Sequence, residues 1–188
     1  LGDNPKVSLQ IVGRDADVEL YRTSGEMFTD VLDPTLNAGD CSRTVFSPSS
    51  SHDVISVGAT GYRTRFINYL NEKKVYNNGT NGVRTPFSAM GPTFDGRIKP
   101  DVMAPGQNII SSYSSFYISN THREDGSVKN DLKSDIRRFK YNGRTYSWNA
   151  NAGTSMSAPV VTGAIALWLQ ADPTLTTSDC MDIFAKTC

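Results

Sequence analysis

The residues best suited to covalent chemistry lie near the C-terminus, in Gly153-Thr154-Ser155-Met156-Ser157-Ala158-Pro159. An apolar, small-residue run from Val160 to Leu169 follows them. This pattern predicts a hydroxyl placed where a loop becomes a buried helix. Gly153 permits close backbone approach, Thr154 is a candidate N-cap, and Pro159 is expected in the first helical turn, where a missing N–H is harmless. A serine at a helix start sits beside unpaired N–H donors at the positive end of the dipole, which favours an oxyanion. Gly163 and Ala164 are expected to let the helix pack tightly, with Leu167 and Trp168 extending its buried surface. Periodicity alone leaves a plainer alternative open, a buried helix that happens to begin with Thr and Ser.

A serine hydroxyl attacks only when a base takes its proton, and a carboxylate usually orients that base. The chain has 2 histidines. His52 lies in Ser-Ser-Ser-His-Asp and His122 in Asn-Thr-His-Arg-Glu, and each reads as a surface-loop residue rather than a base.

The motif Gly-Thr-Ser-Met-Ser-Ala-Pro with Thr162-Gly163-Ala164 resembles the active-serine signature of the subtilases, the subtilisin-like serine proteases. Two further blocks, in the family's order, are similar to segments upstream of that serine. One is Phe87-Ser88-Ala89-Met90-Gly91-Pro92 with Asp95-Gly96-Arg97-Ile98-Lys99-Pro100-Asp101-Val102-Met103-Ala104-Pro105-Gly106. The other is Val54-Ile55-Ser56-Val57-Gly58-Ala59, which resembles a family core strand. The resemblance covers residues 45–188 well and residues 1–44 poorly. It implies an α/β fold, a subtilisin-like parallel sheet with flanking helices, incomplete and carrying antiparallel β insertions.

The same resemblance implies that the acid and histidine precede the serine in the chain. Neither the family's Asp-Thr-Gly setting nor its His-Gly-Thr-His setting occurs here, and Asp95 and Asp101 belong to the segment near the serine. Residues 45–188 are therefore expected to be the C-terminal part of a catalytic domain whose upstream half supplies the acid and base. On that reading Ser155 is the nucleophile of a secreted endopeptidase, and its own N–H is one oxyanion donor. Met156 packs behind it as an oxidation-sensitive site. Asp40, in Asn37-Ala38-Gly39-Asp40, falls near the family's side-chain oxyanion donor. An ionised carboxylate has no proton to offer, so an ordinary turn is the competing reading. If the front segment is an insertion, the true donor lies upstream of Leu1. A proline near Ser47-Pro48 walls the substrate pocket in the family; its peptide bond is trans by default. Calcium is possible by family resemblance, although no ligand set is apparent.

Two other function classes stay open. A non-catalytic domain could keep the serine loop as structure, and a parent sequence lacking both the acid and the base would favour it. An α/β-hydrolase esterase would need Gly-x-Ser-x-Gly, which Gly-Thr-Ser-Met-Ser does not match.

The elements that must position the serine are short. Residues 1–44 read as a β-rich insertion, with strands at Val7–Val12 and Asp17–Tyr21 around a Gly13-Arg14-Asp15 turn. Val54–Ala59 and Val102-Met103-Ala104 suit buried parallel strands, and Asn108–Ser112 continues as another. Two short strands are expected around the Asn77–Gly82 turn. The charged block from His122 to Lys140 reads as a surface insertion, and Asn142-Gly143 as a hairpin turn returning to the serine loop. Asp172-Pro173 stops the serine helix, and Thr177–Lys186 forms another, with Met181, Ile183 and Phe184 towards the core.

At 188 residues the chain can bury one real core. Basic and acidic residues balance at 19 each, so no net field points to nucleic acid or an anionic membrane; the family resemblance implies a protein or peptide substrate and the upstream half of the same domain as partners. No apolar run reaches membrane-spanning length. Both ends look cut. Cys41, Cys180 and Cys188 lack metal-ligand spacing, and an odd count permits at most one internal disulfide.

Overall fold

The computed structural model describes residues 11–16, 18, 42–76, 79–119 and 133–188. The chain divides into two compact units, Leu1–Asp40 and Cys41–Cys188. In the first, the expected strand Asp17–Tyr21, except for Val18, and most of Val7–Val12 lie outside the described residues; Val18 is exposed and not in a strand. Ile11 and Val12 are exposed and not in a strand, while Arg14-Asp15 form the expected bend. The second unit is mixed α/β, with small parallel and antiparallel sheets and three helices among the described residues.

Its structural centre is a parallel pair, β1 (Val57–Thr60) and β4 (Val102–Pro105), in register from Val57 opposite Val102 to Thr60 opposite Pro105. Both strands match the apolar runs seen in the sequence. Side chains alternate across a strand, so Val102 and Ala104 enter the core while Met103 points the other way and is 37% exposed. The expectation of burial is met on the Val102 and Ala104 face; on the other, Gly58 is buried beneath Met103, whose own side chain stays partly exposed. At the start of the pair a buried cation acts as a clamp. Lys99 Nζ donates to Val54 O and Asp101 Oδ2, both at 2.7 Å, and Asp101 Oδ2 also accepts the Ser56 N–H at 2.6 Å. The buried ammonium is therefore both paired and hydrogen-bonded, as burial of a charge requires. At the other end, Ala59 donates its N–H to Ser88 Oγ at 3.0 Å and accepts from Thr85 N at 2.9 Å.

One helix stripe covers the inner face of this pair. Helix α2 (Thr154–Ala171) presents Val161, Ile165 and Trp168, at i, i+4 and i+7, to Val102, Ala104, Ile55 and Val57. Helix α3 (Thr177–Thr187) adds Phe184, whose ring centroid lies 4.7 Å from that of Trp168. Full burial of a side chain such as Val161 or Phe184 contributes about 1.5–3 kcal/mol. Met181 and Ile183 are half-buried as expected, and Cys180, one turn before Phe184, is buried with them.

Elsewhere the strands differ in part from expectation. The hairpin β2 (Arg65–Ile67) and β3 (Lys73–Val75) turns at Asn68–Glu72, not at the Gly-rich 77–82 stretch. Asn68 explains the choice: its Oδ1 accepts from Leu70 N at 3.0 Å and Glu72 N at 2.8 Å, so a side chain closes the turn without glycine. A three-stranded antiparallel sheet follows, ordered β5-β7-β6, with β5 at Ile109–Tyr113, β6 at Asp135–Tyr141 and β7 at Arg144–Asn151. The Asn142-Gly143 hairpin is present, with φ of 47° and 71° as a tight two-residue turn demands. The described part of the charged block is largely strand β6, mostly exposed as expected of a surface insertion. Short helix α1 (Ser115–Ser119) packs on β7.

Candidate active site

Strand β7 delivers the chain to the serine loop. At its last residue, Asn151 donates through Nδ2 to the Tyr113 hydroxyl at 2.7 Å, and its Oδ1 accepts from Ala152 N at 2.8 Å. Gly153 then adopts φ 147°, a conformation that L side chains rarely take, and its N–H donates to Gly106 O at 2.8 Å. Helix α2 begins at the next residue. Gly153 is its N-cap and no side chain caps it, so the expected N-cap Thr154 is instead the first helical residue.

Ser155, second in the helix, is exposed, whereas Ser157 is wholly buried. At that position the Ser155 N–H has no carbonyl four residues back within the helix. Hydroxyl and orphan donor thus share the positive end of an 18-residue helix, where a developing oxyanion would be stabilised. Met156 is half-buried, and its sulfur lies 3.8 Å from where a Gly153 Cβ would stand. Pro159 is the sixth helical residue, beyond the first turn where it was expected. Lacking an N–H, it cannot donate to the Ser155 carbonyl, so the proline releases a backbone group of the candidate nucleophile from the helix ladder.

Gly106 holds this helix start against the parallel pair. Its N–H donates to Thr60 O at 3.0 Å and its carbonyl receives Gly153. A Cβ there would stand 2.6 Å from Ala59 Cβ and 3.0 Å from Gly153 O, and would strike Ser157 Oγ. Ser157 Oγ occupies that notch without a hydrogen-bond partner. Sequence reasoning gave Gly106 only as the end of a similar block and missed the Tyr113–Asn151 contact. The signal for Gly106 was its place directly after Val-Met-Ala-Pro; nothing local marked Tyr113.

No triad assembles around Ser155 among the described residues. The His52 side chain is 72% exposed, with Nε2 3.6 Å from Asp95 Oδ2. This agrees with its reading as a surface residue. His122 and Asp40 lie outside the described residues. Asp95 and Asp101 serve structure. Asp95 is held well below the ordinary carboxylate range, to about 2, by the Thr93 hydroxyl and then by Arg97. Thr93 Oγ1 donates to it at 2.5 Å, and Arg97 also donates to Ser50 O at 2.7 Å, fastening the Ser47-Pro48 loop to the 93–97 turn. The Ser47–Pro48 peptide is cis, not the default trans. Among the described residues no three His, Cys, Asp or Glu side chains converge as a metal-ligand set. Cys180 and Cys188 are both free thiols.

The serine helix differs from expectation over most of its surface. Apart from Ser157 and Val161 its residues are not fully buried; Val160 is 47% and Leu167 67% exposed, and open space surrounds Gly163. No described element covers this side.

Comparison with known proteins agrees with the motifs. The profile of the Subtilase family, Peptidase_S8, matches residues 35–188. Serine protease AprX of Bacillus subtilis (strain 168) is 32% identical over 147 residues, 78% of this chain and 27% of AprX. Subtilisin-like protease SBT5.5 of Arabidopsis thaliana is 35% identical over 105 residues, 55% of this chain and 11% of that protein. Minor extracellular protease Vpr of Bacillus subtilis (strain 168) is 34% identical over 88 residues, 46% of this chain and 8% of Vpr. The chain therefore spans a minor part of the length of these relatives.

Proposed function

Because the chain belongs to the subtilase family, we propose that Ser155 is the nucleophile of a serine endopeptidase whose histidine and aspartate come from an upstream half of the same catalytic domain. The observation that carries this reading is the exposed Ser155 hydroxyl at the start of α2, directly after Gly153. In the proposed reaction the upstream histidine takes the Ser155 proton as Oγ attacks the peptide carbonyl carbon. The Ser155 N–H donates to the resulting oxyanion. The protonated histidine then returns the proton to the leaving amine, and water hydrolyses the acyl-enzyme by the same route. An upstream side chain, or Asp40 in its protonated form, supplies the second oxyanion donor.

The uncovered apolar side of α2 supports the missing half. Val160, Gly163 and Leu167 form a small-residue and apolar surface of the kind that another layer of the same domain covers. Alone, residues 1–188 are expected to have little or no activity. Protein or peptide is the substrate, and the longer polypeptide acts outside the cytoplasm, in keeping with the word extracellular in the name of Vpr.

A fluorophosphonate, which phosphonylates activated serines with loss of fluoride, tests the assignment on the longer polypeptide. The expected adduct maps to Ser155; an adduct elsewhere, or none on a polypeptide that cleaves peptides, overturns it. The non-catalytic reading predicts an upstream sequence with neither the acid nor the base motif.

A further inference from the structure

The β5-β7-β6 sheet has a role that the proposed peptidase chemistry does not use. Its two faces differ. On the inner face Asp135 is fully buried, accepting from Asn149 Nδ2 at 2.8 Å and pairing with Arg138 Nε at 2.6 Å. The Arg138 guanidinium in turn lies 3.9 Å from the centroid of the Tyr69 ring. Here the buried charge is answered.

On the outer face, strand alternation and pairing bring together Arg137 opposite Trp148, Phe139 opposite Tyr146 and Tyr141 opposite Arg144. Phe139 and Tyr146 stack at 5.6 Å, and Arg144 sits 4.5 Å over the Phe116 ring. These are large groups in open view: Phe139 and Trp148 are each 45% exposed, Tyr141 64% and Phe116 66%. Grouped exposed aromatics of this kind suit an interaction surface.

Two observations say what fits it. Residues 133–146 carry five cations, Lys133, Arg137, Arg138, Lys140 and Arg144, against one acid, Asp135, in a chain of net charge +0. Alternation puts Arg138 and Lys140 on the inner face; the outer face holds Arg137 and Arg144, and no described carboxylate pairs with either. Strand β6 is also an edge. Tyr69 N donates to Asp135 O at its beginning, but from Arg137 to Tyr141 no strand lies beside it among the described residues. Its outward N–H and C=O groups can therefore pair with an added strand.

We propose that β6 and the outer face of this sheet bind an extended acidic peptide segment, which adds as a fourth strand and sets one carboxylate beside Arg137 and another towards Arg144, one strand further in across Tyr141. The site rests on the peptidase reading for its purpose, that of an exosite holding part of a protein substrate. Its geometry suits that purpose, since β7 runs from Arg144 straight to the serine loop. The strand spans roughly 24 Å at about 3.4 Å per residue, a distance that seven or so substrate residues bridge. Tyr113 ties the same sheet to the loop through Asn151, and its ring packs edge-on against Tyr117 of α1 at 4.8 Å.

The test uses the Ser155→Ala form of the longer polypeptide, so that binding is read without turnover. Fluorescent peptides with alternating Glu, the same peptides with Gln or Lys, and a Glu peptide N-methylated at alternate residues are titrated by anisotropy at low and high salt. The Glu peptide is expected to bind about tenfold tighter than the Gln peptide, to weaken with salt and to lose affinity on N-methylation. Arg137→Glu with Arg144→Glu should lower its affinity about tenfold, and the milder Arg137→Gln with Arg144→Gln severalfold, each with an unchanged circular dichroism spectrum. Equal binding of Glu and Gln peptides, or undiminished binding by the folded Gln double variant, overturns the proposal. Tight binding of a sulfated oligosaccharide together with indifference to N-methylation overturns it in favour of a polyanion site. Labelling of Ser155 without peptide binding removes the exosite alone. Peptide binding without labelling leaves this surface standing as a recognition site and removes the peptidase reading.

Discussion

Helices α2 and α3 are neighbours in the chain and are built on opposite plans. Helix α3 is specified by its own residues. Thr176 Oγ1 accepts from Asp179 N, and Asp179 Oδ2 accepts from Thr176 N at 2.8 Å, a reciprocal capping box. Asp179 stands in the first turn and Lys186 in the last, each favoured by the dipole, while Cys180 and Phe184 bury one stripe. Helix α2 has none of these supports. It begins on an uncapped glycine, carries no charge in either end turn, contains a proline and is apolar on most sides. It stands because Gly106 and the parallel pair receive its first turn and Val161, Ile165 and Trp168 reach the core. The uncapped start leaves N–H donors unused, and these are the donors an oxyanion needs. What makes α2 poor as an independent helix makes its start suitable for chemistry.

Substitutions can break or sharpen this contrast. The largest effect is expected from Ser155→Ala in the longer polypeptide, which should lower kcat on the order of a millionfold, a magnitude taken from subtilisin itself. Retained peptidase activity would sever the link between the α2 start and catalysis. Next, if another layer of the domain covers α2, Leu167→Ala should cost about 2–5 kcal/mol in urea unfolding of that polypeptide, as for a buried leucine. A change under about 0.5 kcal/mol would mean that the residue stays as open as it is here. Gly106→Ala is expected to destabilise by about 1–3 kcal/mol through overpacking, since its new methyl must displace Ala59 or the helix start. Wild-type stability would remove Gly106 as the anchor.

On α3, Thr176→Ala should cost about 1 kcal/mol by thermal or urea unfolding, while leaving peptide hydrolysis unchanged. The smallest effect is pH-dependent. Asp179 is lowered from its model-compound value of 3.8 by the hydrogen bonds it accepts from the Thr176 hydroxyl and backbone. A carboxylate with a depressed folded value adds stability above its unfolded value and loses that contribution as pH falls through the folded one. The capping box should therefore hold at neutral pH and loosen only below about 3.8. Carbon-13 NMR titration should place the Asp179 midpoint below that value in the native chain and raise it in Thr176→Ala.

Local grammar carried far into this protein. The α3 limits, the Asp172 stop, the Asn142-Gly143 turn and the β4 strand are all where short-range chemistry puts them. So is Ser155 at a helix start. Failures came where a distant or side-chain partner decided. The hairpin at 65–75 turns on Asn68, whose side chain closes the loop that glycine was expected to close. The described part of the His122–Lys140 block keeps its expected exposure, but its strand β6 was not legible locally, because β7 supplies the partner and Arg138 and Asn149 satisfy Asp135.

The sequence by itself determined the family and the place of Ser155 at a helix start, because Gly-Thr-Ser-Met-Ser-Ala-Pro and the blocks before it encode a local backbone path. Only the tertiary structure decided that Gly106 seats the serine helix, that Asp95 and Asp101 are structural, and that a cationic aromatic sheet ends four residues before Ser155. Those are meetings between segments remote in sequence, fixed by contact and by satisfaction of buried polar groups, and neither composition nor periodicity contains them.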